Sequence, residues 1–116
     1  MECLNEICKL TLYTKHIIRR GSILRCKGYY PYEDVVDFLV CESFTLEENG
    51  YRLVVSSGYK AGLTLCVLPT ESMPDGLSFG IQTDWLISNW NKYCYECSIN
   101  DVWIIERYIP EIPSEK

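Results

Sequence analysis

Cys94 and Cys97 form a C-x-x-C, and with Cys3 and Cys8 they supply four thiols of the kind that holds zinc in a tetrahedral site. The second pair has a four-residue gap near the start of the chain, and His16 is the only histidine, so the spacing argues against zinc. Redox chemistry of the thioredoxin kind needs the pair to open a helix after a strand, where the helix N-terminus lowers the thiol pKa. Here the pair follows a helical pattern instead. Cys26, Cys41 and Cys66 each stand in an apolar run, where a thiol acts as a small hydrophobe. Seven cysteines, an odd number with no export signal before them, read as reduced thiols.

Other chemistry is sparse. A single histidine beside Ile17 and Ile18 leaves no Ser-His or Cys-His pair. "GYKAGLT" lacks the G-x-x-x-x-G-K-[ST] of a phosphate loop, and its glycines suit a hairpin connection. The carboxylate pairs Glu33-Asp34 and Glu47-Glu48 are adjacent in sequence, which on a strand sends them to opposite faces and on a loop leaves them solvated. No catalytic set, cofactor or metal is expected, and the chain reads as a binding protein rather than an enzyme.

The elements that position these residues are strands, then one helix, then a strand. "KLTLYT" and "SILRCKG" alternate in the period of a half-buried strand. "VVDFLVCESFTL", "YRLVVSS" and "LTLCVLP" follow as a three-stranded meander over 35–68, with a type I′ turn expected at Asn49-Gly50 and a loop at "GYKAG". "MPDG" at 73–76 marks a turn. Thr83 is the expected N-cap of a helix over 83–93, whose stripe of Leu86, Ile87, Trp90, Tyr93 and Cys94 packs on the sheet, and "DVWIIERY" closes the set as a strand covered on both faces. The fold class is α+β, mainly antiparallel. At 116 residues the chain is expected to be one domain, 1–116, with a frayed tail at 110–116.

Charge is segregated along the chain. Residues 9–27 carry six basic side chains and no acid, and residues 28–51 carry six acids and no base. Neighbouring strands pairing their charges explain much of this. The net charge of −5 and the shortness of the basic block disfavour nucleic acid. No apolar stretch approaches the length of a membrane span, and no signal peptide opens the chain, so a cytoplasmic location is expected. The acidic block sets Tyr29, Tyr30 and Tyr32 beside Glu33, Asp34 and Asp37, a pattern that suits a docking face in which rings supply buried area and charges supply association rate.

The words "PYED", "SGYKAG" and "DWLISNWNK", in runs spread over residues 10–108, resemble the immunity proteins of bacterial polymorphic toxin systems, in particular the family numbered forty-five. The resemblance implies a small α+β protein that binds and neutralises a cognate toxin domain. It carries over no defined set of contact residues. An acidic face would suit a toxin, such as a nuclease, whose active site attracts phosphates. The composition alone would equally fit a small adaptor, cytoplasmic or phage-encoded, that binds another protein without catalysis.

Overall fold

The computed structural model describes residues 7–44, 49–74 and 79–114. Its centre is a six-stranded antiparallel sheet. The strands are β1 (Ile7–Lys9), β3 (Ile23–Lys27), β4 (Val35–Phe44), β5 (Asn49–Val55), β6 (Thr64–Val67) and β8 (Val102–Ile105), in the spatial order β1-β8-β3-β4-β5-β6. A short ribbon of β2 (Ile17–Ile18) and β7 (Ile81–Gln82) leads into the helix α1 (Thr83–Tyr93). This is the expected α+β arrangement, with the 35–68 meander intact.

One sheet face is the core. Leu24, Cys26, Val36, Phe38, Val40, Tyr51, Leu53, Val55, Val102 and Ile104 alternate inward along their strands and join Leu86 and Trp90 of α1 in one buried cluster. The helix buries Thr83, Leu86 and Trp90, three positions on one face by their three- and four-residue spacing, and exposes Asp84, Ser88, Asn91 and Lys92. An eleven-residue helix is marginal alone, so this packing is what holds it. Trp85 is half-buried, its ring 5.3 Å from that of Tyr93 and its indole N–H donated to Glu71 at 3.2 Å.

Four expectations change. Asn49-Gly50 is not the hairpin turn but the start of β5, with Asn49 opposite Phe44 and Gly50 opposite Ser43. Core alignment decides the register: a turn at 49–50 would set Val40 opposite Tyr59 and Phe38 opposite Ala61, whereas the observed register sets them opposite Leu53 and Val55. The connection at 45–48, which includes Glu47 and Glu48, is outside the described residues, as are Cys3 and the Asp75-Gly76 half of the "MPDG" turn.

"KLTLYT" is not one strand. The chain leaves β1 at Lys9 and turns through a 3-10 segment at Leu10–Leu12, closed by Tyr13 N–H to Leu10 C=O at 3.1 Å. Leu10 is buried and Leu12 is 69% exposed, so the two leucines do not share a face.

Thr83 does not cap its own helix, because its polar groups are used elsewhere. Its N–H donates to His16 C=O at 2.9 Å and its hydroxyl to Lys15 C=O at 2.8 Å, tying the start of α1 to the segment before β2, while Gln82 takes the cap position with its side-chain amide donated to the Glu71 and Met73 carbonyls rather than capping the helix.

Of the thiols expected in the core, Cys26 is fully buried, but Cys41 and Cys66 are only half-buried. Cys41 pairs with Arg52 on the sheet face opposite the core.

Candidate functional site

The connection from β3 to β4, residues 28–34, is built by a backbone approach that excludes any side chain at its first position. Gly28 N–H donates to Asp34 C=O at 2.7 Å, and a Cβ on Gly28 would stand 1.9 Å from the Glu33 carbonyl oxygen. Inside this closure Tyr32 N–H donates to Tyr29 C=O at 2.8 Å, across a cis Tyr30–Pro31 peptide bond. The turn throws Tyr30 outward, 96% exposed, and folds Tyr32 inward against Phe38 and Tyr95.

Tyr95 is the hub of this end of the molecule. Its ring contacts Tyr29, Tyr32 and Phe38 at centroid distances of 6.4, 5.7 and 5.3 Å, and its hydroxyl accepts the Tyr29 N–H at 2.9 Å. Burial pushes its phenol above the ordinary range. The segment carrying Tyr95 is held in turn by Asn91 of α1, whose side-chain amide donates to the carbonyls of Tyr95 and Cys97 at 3.0 and 2.9 Å.

A third loop joins these two. After β5 the chain makes a 3-10 turn at Gly58–Lys60, and Tyr59 N–H donates to Glu33 Oε2 at 3.0 Å. Gly58 has φ +67°, and a Cβ there would meet the Glu33 carboxylate oxygens at 2.3 and 2.6 Å. The bond from Tyr59 N–H holds the Glu33 carboxyl below the usual carboxylate range. Tyr59 itself is 95% exposed. The three sequence words thus meet at one end of the sheet: "PYED" through Glu33, "SGYKAG" through Gly58 and Tyr59, and "NWNK" through Asn91.

Of the six residues singled out from sequence, Tyr29, Tyr30, Tyr32, Glu33 and Asp34 belong to this apex, but in different roles. Tyr30, Glu33 and Asp34 are exposed, Tyr29 is partly exposed, and Tyr32 is an internal support. Asp37 stands apart on the outer sheet face, where Arg25 Nε and Nη2 donate to its two carboxylate oxygens at 2.8 and 2.9 Å. Sequence reasoning passed over Tyr59 and Tyr95. The "GYKAG" word, read only as hairpin geometry, held the signal for Tyr59. Nothing in the sequence pattern pointed to Tyr95.

The C-x-x-C does not act as a unit. Cys97 lies beside Cys26 and Cys94 beside Cys66, so the two thiols of the motif face two different sheet strands. The neighbouring thiol and burial push Cys26 and Cys94 up. Among the described residues, no three His, Cys, Asp or Glu side chains gather into a metal-holding group, and no helix is long and apolar enough to cross a membrane.

Fold and apex together define a small α+β protein with an exposed aromatic and acidic end whose loops are tied by hydrogen bonds. Residues 10–104 match the family Immunity protein 45, and the chain belongs to that family. The resemblance carried by the three words is thereby confirmed, and membership implies a toxin protein as partner. No curated protein and no solved structure matches the chain.

Proposed function

We propose that this protein neutralises a cognate toxin domain by forming a 1:1 complex in the producer's cytoplasm, acting as an inhibitor without catalysis, and that the apex is its docking face. The observation that carries the placement is the locking of three loops around Glu33 and Tyr95, which leaves Tyr30 and Tyr59 at 96% and 95% exposure on a fixed support. A tyrosine ring turns about only two side-chain bonds, so on a backbone held in place it orders on binding at little entropic cost, which favours its use as an anchor. Glu33 and Asp34 beside them supply negative charge, and the whole chain carries −5. A toxin that attracts phosphates, such as a nuclease, would present the complementary basic surface.

The test is co-expression of this protein with the candidate toxin domain, scored for cell survival, followed by light-scattering mass determination of the purified mixture. Survival with a 1:1 complex is expected. Toxicity undiminished by the co-expressed wild-type protein would remove the proposal.

A further inference from the structure

The sheet face turned away from α1 carries two rows of side chains aligned by strand register. Lys9, Trp103, Arg25 and Asp37 stand opposite one another across β1, β8, β3 and β4. The neighbouring row is Ile7, Ile105, Ile23, Leu39 and Val54, running on into β5. Five strands spaced about 4.8 Å apart make that apolar row roughly 19 Å long. Ile7, Ile23, Leu39 and Ile105 wall an open cleft of about 530 Å³, with Tyr108 at its side and the Arg25–Asp37 pair among its lining.

Of the cleft's charged groups, Arg25 keeps donors to spare, and the hydroxyls of Ser56 and Tyr108 beside it can donate or accept. A guanidinium carries five N–H groups in a planar fork. Asp37 engages Nε and Nη2, and among the described residues Arg25 meets no other acceptor, although its side chain is 42% exposed. Lys9 Nζ stands 5.6 Å from the Trp103 ring centroid in the same row. Lys9 and Arg25 against Asp37 leave the row with one net positive charge on a protein that is otherwise acidic. The cleft also adjoins the apex. Ser56 N–H donates to Asp37 C=O at 2.8 Å, Asp37 N–H donates to the Ser57 hydroxyl at 2.9 Å, and Gly58 and Tyr59 follow at once.

We propose that this outer face is a second docking surface for the same toxin domain, receiving a segment that presents a carboxylate beside an aliphatic side chain. The aliphatic group enters the Ile7, Ile23, Leu39 and Ile105 wall, and the carboxylate meets the Nη1 edge of Arg25 within the field of Lys9. A polyanion is disfavoured by the single net charge of the row and by its apolar border. The inference rests on the immunity reading above. It makes the interface two-sided, with an acidic apex for a basic region of the toxin and a donor-bearing cleft for an acidic one.

Binding kinetics of the toxin domain that the wild-type protein neutralises provide the test, with two cleft variants. Ile7→Lys places a charge at an exposed edge position. The double variant Arg25→Met with Asp37→Leu replaces the ion pair with apolar groups of similar size, so that no buried charge is left unpaired. Each is expected to raise the dissociation rate by about tenfold or more with the melting temperature nearly unchanged, as loss of a buried contact does. Wild-type binding with both variants within about twofold of it would overturn the second surface and leave the immunity reading standing. Absence of wild-type binding would overturn both. Sedimentation of the protein alone, showing a dimer that Ile7→Lys dissociates, would assign the face to a second copy and overturn the proposal.

Discussion

The Glu33 carboxylate accepts the Tyr59 N–H at 3.0 Å across 26 residues of sequence, and this one bond joins the β3–β4 loop to the β5–β6 loop. Its geometry uses the absence of a side chain at Gly58, where a Cβ would come within 2.6 Å of all three carboxylate atoms of Glu33. Glu33 therefore has two tasks, positioning Tyr59 and contributing charge, and the first restricts what substitution there can mean.

Glu33→Gln keeps an acceptor oxygen and removes the charge, whereas Glu33→Ala removes both. Amide hydrogen exchange at Tyr59 should rise strongly in Glu33→Ala and only modestly in Glu33→Gln. Gly58→Ala should resemble Glu33→Ala, since alanine at φ +67° costs about 1–2 kcal/mol and also displaces the carboxylate. The carboxyl is held low by this bond, so the bond's contribution is present above the ordinary carboxylate pKa and is lost as pH falls through the folded value. Exchange at Tyr59 should accordingly quicken in acid relative to neighbouring amides, after correction for intrinsic rates.

Trp90 is fully buried and its indole N–H has no hydrogen-bond partner among the described residues, although the weakly accepting sulfur of Cys97 lies near enough for the indole to favour its ionisation. Trp90→Ala should cost about 3–5 kcal/mol in chemical denaturation, a large share of the stability of a domain this size. Trp90→Phe retains most of the ring and removes a donor whose unpaired burial costs about 1–3 kcal/mol, so it should lose less than half as much. Equal losses for the two variants would show that the indole N–H is adequately satisfied by sulfur.

How much of this was legible in sequence depends on whether the residue acts locally. The stripe of Leu86 and Trp90, and the β-branched runs of β4 and β5, report their burial by period, and the structure agrees. Asn49-Gly50 misled because turn chemistry is a local preference, while the register answers to Phe38 and Val40 finding Val55 and Leu53 across the strands. The apex was half legible. The acids and tyrosines of residues 29–34 are contiguous, but Tyr59 and Tyr95 reach them through contacts 26 and 66 residues apart, as measured along the Glu33 and Tyr29 bonds. Asp37 looked like part of the same run, yet the alternation of β4 turns it to the outer face, where Arg25 pairs with it in register.

Tyr13 sets an alkaline limit. Burial first, then the negative charges of Glu106 and Cys8, push its phenol from 10.0 up to about 12. The folded state thus keeps a proton that the unfolded chain releases. Stability is fully present below pH 10 and declines as pH rises from there towards about 12. Tyr13→Phe should flatten this limb in thermal denaturation measured across that range, and an unchanged slope would place the alkaline sensitivity elsewhere.

The thiols should contribute as packing groups. Cys26 and Cys97 are both buried in the core cluster, and each C-x-x-C thiol is paired to a different sheet thiol. If the thiols serve as packing groups alone, chelator and reductant should leave the melting temperature within about a degree. Stoichiometric zinc in the purified protein would contradict this.

The central claim, that the apex is where the toxin docks, is tested most directly by the dissociation rate of the toxin complex with Tyr30→Ala and Tyr59→Ala. Both side chains are more than nine-tenths exposed in the free protein, so neither truncation should alter the circular dichroism spectrum or the melting temperature. If the rings are anchors, each variant should dissociate about 10- to 30-fold faster, corresponding to roughly 1.4–2 kcal/mol per ring, with little change in association rate. Rates equal to wild type for both folded variants would contradict the apex as the docking face.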